Sequence, residues 1–198
     1  MIAMASASLS MSLMAIILST LQFHQPVQDS FIWPLDAYHK RAIKLTFGLF
    51  VTPDSPNNPI VPPERFSGYH AALDIEIYPD EIKKRVPVYA SCNGKVIYTG
   101  YVNGYGGVII HTCMVNNQDV TVLYGHLDPS AYLIKKSDYV KAGDEIGKLA
   151  DHKTHDSGYN RKHLHLQIHR GTNIVLRGYV SRPEDLNSYI DPQTVLPK

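Results

Sequence analysis

Between Ala72 and Arg170 the chain is a succession of short runs rich in Val, Ile and Tyr, at 72–78, 86–90, 94–101, 107–115, 119–127, 145–150 and 163–170, each bounded by turn residues. Runs of this length and spacing predict the strands of an all-β sheet or barrel. No amphipathic helical period, repeat or second domain interrupts them. Residues 43–51 read as one more strand, and the proline-rich passage 52–65 as a surface loop, because proline fixes φ and cannot donate to a ladder. With 198 residues, 44% of them hydrophobic, the chain is long enough for one domain with its own core.

The last run sorts packing from chemistry. In His163-Leu164-His165-Leu166-Gln167-Ile168-His169 a strand's period of two sends Leu164, Leu166 and Ile168 to a core, and His163, His165 and His169 to the other face. Residues two apart on one face are about 7 Å apart, so one histidine can ligate a metal while its neighbour faces bound water or substrate. Ten histidines in all favour metal or acid/base work. A net charge of +1, with no basic run interleaved with aromatics, excludes nothing locally but gives no footprint of nucleic-acid binding.

Two further stretches carry histidine at strand-like positions. His70-Ala71-Ala72-Leu73-Asp74 contains H-x-x-x-D, but Leu73, Ile75 and Ile77 alternate with Asp74, Glu76 and Tyr78. A straight strand would hold His70 and Asp74 about 13 Å apart, so sharing a metal requires a tight bend at Ala71-Ala72. In Val120–Leu127 the alternation puts Tyr124 and His126 on one face, just before Asp128-Pro129. Asn103-Gly104-Tyr105-Gly106 reads as the turn of a hairpin. Folding back there brings Cys92 nearly opposite Cys113, either as a disulfide or as two buried thiols.

Residues 1–23 carry no charge and have an apolar centre at 11–18, which reads as a signal peptide or uncleaved anchor lacking the usual basic start. Residues 24–42 read as a linker and 43–198 as the folded domain. Export to the periplasm or cell envelope follows, with a membrane tether through the first segment as one form of it.

H-x-x-x-D, Tyr124-Gly125-His126-Leu127 and His163-Leu164-His165, in that order within about a hundred residues, resemble the lysostaphin-type (LytM-type) zinc metallopeptidases of bacterial peptidoglycan. Gly104, Gly106, Gly107, the stretch Val140-Lys141-Ala142-Gly143-Asp144-Glu145-Ile146-Gly147 and Lys162 before His163 extend the resemblance over residues 66–171. It implies a largely antiparallel β-sheet domain with an open active-site groove. It implies Zn²⁺ bound by His70, Asp74 and His165, with His126 and His163 as the unligated catalytic pair, their division of labour left open. Two imidazoles and a carboxylate leave zinc an open position, the mark of a catalytic site. The implied activity is a zinc endopeptidase hydrolysing stem or cross-link peptides of peptidoglycan through a zinc-activated water. A non-catalytic wall-binding or regulatory module on the same fold is the alternative.

Two departures stand out. The family usually has glycine where this chain has Ala72, which would strain a bend needing positive φ. The segment 151–162 lacks the short glycine-rich turn common before H-x-H in relatives, and its His152 and His155 read as solvated. His24, His39, His111 and His169 read as structural or solvated.

Overall fold

The computed structural model describes residues 31–37, 40–56 and 58–198. The segment 1–23, read as a targeting sequence, and the positions of His24 and His39 lie outside the described residues. The chain forms β1 (Phe50–Val51), β2 (Gly68–His70), β3 (Leu73–Glu76), β4 (Pro87–Tyr89), β5 (Gly94–Val102), β6 (Gly106–Val115), β7 (Gln118–Leu127), β8 (Tyr139–Val140), β9 (Glu145–Lys148), β10 (His163–Arg170), β11 (Tyr179–Val180) and β12 (Tyr189–Ile190). Short 3-10 turns are the only helical elements among the described residues, and none is long and apolar enough to cross a membrane.

Every strand pairing is antiparallel. The main sheet runs β12-β10-β7-β6-β5-β8, and β3 also pairs with β10. The outer edge of β10 is therefore divided: β3 takes His163 to Leu166, and β12 takes Ile168 and His169. A small sheet β1-β2-β11 and a ribbon β4-β9 complete the fold.

Local chemistry explains the hairpins. Val102 pairs with Gly106 across Asn103-Gly104-Tyr105, with Gly104 at φ 93° and Gly106 at φ 72°. Val115 pairs with Gln118 across Asn116-Asn117, whose φ values of 50° and 62° match the two-residue turn that suits twisted strands. On β10 the expected alternation holds. Leu164, Leu166 and Ile168 are fully buried in the main core, with Val122, Tyr124 and Ile109 from β7 and β6. Each such aliphatic side chain contributes about 1.5–3 kcal/mol through burial. Cys92 and Cys113 form a disulfide within the same core.

Two sequence expectations are corrected. The strand read over 43–51 is broken by a turn at Phe47-Gly48, where Gly48 has φ 79°. Its start bridges Ile75 on β3, while Phe50–Val51 pairs with β2 in another sheet, so the chain has to turn between them. The described part of the expected linker is packed. Phe31 and Leu35 enter the main core, Ile32 N–H donates to Ser91 O, and the Trp33 indole donates to Pro197 O at 2.8 Å. The uncharged aromatic and aliphatic residues of that stretch are what make it core material.

Candidate metal centre

Strand register builds one corner of the site. Asp74 on β3 lies directly opposite His165 on β10, which on its other side lies opposite Gly125 of β7. Residues paired this way share a face of the sheet. His70 arrives from β2, and the bend at Ala71-Ala72 turns the chain from one sheet into the other. Both alanines are fully buried, and Ala71 N–H donates to Gly178 O. Ala72 is not among the residues with positive φ, so this bend suits alanine.

Three donor atoms converge. His70 Nε2 is 3.3 Å and His165 Nδ1 is 3.0 Å from Asp74 Oδ1, and the two nitrogens are 3.2 Å apart. Tetrahedral coordination with bonds of 2.0–2.1 Å separates neighbouring donors by about 3.3 Å, so this triangle fits zinc. The remaining atoms of the three side chains are oriented by other partners. His70 Nδ1 is 3.4 Å from Thr46 O, and His165 Nε2 is 3.4 Å from the Tyr105 hydroxyl. Asp74 Oδ2 accepts from Arg161 Nη2 at 2.8 Å and faces His163 Nε2 at 3.1 Å. Oδ1 is left for an ion. Partners of this kind fix the tautomer and orientation of metal ligands.

The electrostatics agree with a cation site. Burial opposes a charged Asp74, but His163, His70 and Arg161 together outweigh it and hold the carboxyl well below its ordinary value. Burial pushes His165 down to about 4, against the pull of Asp74, so the imidazole is neutral and able to ligate at neutral pH.

His126 is placed by a different device. Gly107 pairs with Leu127 and Val108 with Gly125, so His126 is the extra residue of a β-bulge, with φ 63°. This corrects the expectation that Tyr124 and His126 share a face. Tyr124 stays in the core, where its hydroxyl accepts from Ser91 N–H, whereas the bulge turns His126 toward His163 and His165. Its ring centroid is 4.4 Å from that of His163 and 6.1 Å from that of His165. Nδ1–H donates to Ser157 O at 2.9 Å, which leaves the Nε2 lone pair free. Burial, then the neighbouring His163 and His165, hold its pKa well below the ordinary value.

The segment 151–162 supplies that carbonyl and much else. It packs so closely on the β5-β6 turn that a Cβ at Gly106 would collide with Asp156 O, and Asn160 Nδ2 donates to Gly104 O. Arg161 ties Asp74 to two more carboxylates, Glu64 at 2.7 Å and Glu76 at 2.8 Å. Its guanidinium is held still more firmly charged by these acids, despite the opposing effect of burial. Sequence reasoning missed Arg161, Ser157 and Asn160, since a polar loop gives no periodic signal. It also missed Tyr105, known only as a turn residue. Tyr105 is buried between His126 and His165, and a Cβ at Gly178 would collide with its hydroxyl. His152 and His155 are exposed, as expected.

Asp74, His126, His163 and His165 line a groove of about 250 Å³, with Tyr105 and Tyr179 on its walls. Among the described residues one other group has metal-like spacing, Cys92, His111 and Cys113. The disulfide consumes both sulfurs, and His111 is committed elsewhere. Tyr124 O–H, already accepting from Ser91, donates to Nε2, so Nδ1–H donates to Thr112 O. His169 packs its ring on Tyr189, away from the triangle.

Residues 68–176, just over half of the chain, match Peptidase family M23. Lipoprotein NlpD of Yersinia enterocolitica is 32% identical over 83 residues, which are 41% of this chain and 75% of that protein. The fold is similar to that of LytU, with a TM-score of 0.52 and 26% identity over 80% of this chain and 86% of LytU. It is also similar in fold to lysostaphin, with a TM-score of 0.54 and 24% identity over 84% of this chain and 53% of lysostaphin.

Proposed function

We infer, from the premise that this chain belongs to peptidase family M23, that it is a zinc endopeptidase cleaving peptide bonds in the stem or cross-link peptides of peptidoglycan. The observation that carries this reading is the triangle His70 Nε2, Asp74 Oδ1 and His165 Nδ1, opening into a groove that two further histidines line. These three residues would hold the zinc. Bound there, zinc supplies Lewis acidity, polarising a scissile carbonyl and lowering the pKa of water.

The remaining roles fall to protein groups. His126 takes the proton of the attacking water at Nε2: Ser157 O fixes its tautomer and burial keeps it neutral. His163 has both ring nitrogens facing acceptors, Nδ1 toward Arg161 O at 2.9 Å and Nε2 toward Asp74 Oδ2. Its ring lies 4.4 Å from that of His126, which makes it the second member of the pair beside the same water. Tyr105 excludes water from one side of His165 and keeps Nδ1 turned toward the triangle. The same reading assigns the protein to the cell envelope, where an oxidising compartment suits the Cys92–Cys113 disulfide.

The test is digestion of purified muropeptides by the zinc-loaded protein, with product masses read before and after chelation. New peptide termini that vanish on chelation and return with zinc are expected. Wall binding without cleavage would instead establish the non-catalytic module.

A further inference from the structure

Resting on the peptidase reading above, we propose that a second cleft beside the metal centre recognises a carboxylate-bearing part of the substrate peptide. The cleft has a volume of about 740 Å³, within the range of sites that enclose small ligands. It adjoins the groove, since Glu64 borders both. Lys44, on its wall, runs alongside the metal-ligand strand, its N–H donating to Asp74 O. A peptide lying in the groove and extending past Glu64 enters this cleft.

Its charge is uneven for a definite reason. The acids lining it, Glu64 and Glu76, are both engaged by Arg161. The Lys162 ammonium is buried and donates to Lys84 O at 2.7 Å, with Asp151 at 3.2 Å. Lys44 and Lys153 also line the cleft and are exposed, and among the described residues neither ammonium has a carboxylate partner. Ile60, Ile77, Pro62 and Pro79 supply apolar wall between these charges. Two uncompensated ammonium groups over an aliphatic surface complement a ligand with free carboxylates and short apolar side chains.

The experiment uses two soluble peptidoglycan peptides, one with free side-chain and terminal carboxylates and one with both amidated. Binding is measured by calorimetry on the full-length, zinc-loaded His126→Ala protein, so that it is read without turnover, and hydrolysis is followed separately with the unsubstituted protein. The free-acid peptide is expected to bind about tenfold more tightly at low salt, with the gap closing as salt rises. Adding Lys44→Gln and Lys153→Gln should bring its affinity down to that of the amidated peptide. Equal binding of the two peptides, no binding of either, or discrimination that survives loss of both lysines would overturn the proposal. Discrimination without hydrolysis would uphold the cleft and sink the peptidase reading. Hydrolysis of both peptides without discrimination would do the reverse.

Discussion

The corner formed by His70, Asp74 and His165 and the wall opposite it are built by different means. Asp74 and His165 face each other because β3 and β10 pair in one register, and a single bend brings in His70. His126 and Arg161 have no such rule behind them. One sits on a bulge, and its ring is held by a loop carbonyl; the other reaches from that loop to three carboxylates. Regular pairing places Asp74, His163 and His165, and irregular backbone places His126 and Arg161 against them. A sheet alone presents side chains in rows about 7 Å apart, so a departure from regularity is what brings a fourth histidine in at an angle.

Substitutions can break this contrast, beginning with the largest effect. His165→Ala or Asp74→Ala should remove the zinc, since two protein ligands are too few to retain it, and activity should vanish with the metal. Metal analysis by mass spectrometry checks this, and full occupancy in both variants would discard the triangle as the binding site. His126→Ala should do the opposite, keeping one zinc per chain while turnover falls about 10²–10⁴-fold. Unchanged turnover would mean that the bulge serves only the fold.

Arg161 tests whether the wall supports the corner. Arg161→Ala leaves Asp74 Oδ2 without its guanidinium partner, and zinc affinity in a chelator competition should fall by about 10–100-fold. Arg161→Lys should recover only part of this, because an ammonium lacks the planar fork that serves three carboxylates. Tighter zinc in the alanine variant would show that the guanidinium competes with the ion. The smallest effect is expected at the bend. Ala72→Gly should cost up to about 1 kcal/mol in a denaturant melt through unfolded-state entropy and leave zinc affinity unchanged, since no positive φ needs relief.

The same contrast explains what the sequence made legible. Alternation in 163–169 identified the core row of β10, and the hairpin glycines located the β5-β6 turn closely enough to bring Cys92 opposite Cys113. His70, Asp74 and His165 could be named as candidate ligands through the resemblance carried by H-x-x-x-D and H-x-H; alternation alone would have held His70 and Asp74 about 13 Å apart. Alternation failed at His126, where one added residue reverses which face a side chain takes. It was silent about 151–162, whose buried Ser157, Asn160 and Lys162 resemble any polar loop until their partners, far away in sequence, are known. The turn at Gly48 and the packing of Phe31 and Leu35 were missed for a related reason. Which sheet a segment joins is decided by contacts distant in the chain.

The divided outer edge of β10 has a consequence for how the protein opens. With β7 on one side and β3 and β12 sharing the other, the strand carrying His165 has neighbours on both flanks, and its amides should exchange with solvent only through global unfolding. The segment 151–162 belongs to no strand ladder and is held by side chains and isolated turns, so its amides are expected to exchange sooner, through local opening. Hydrogen exchange would then divide the site into a slow side carrying Asp74 and His165 and a faster side carrying the carbonyl that holds His126.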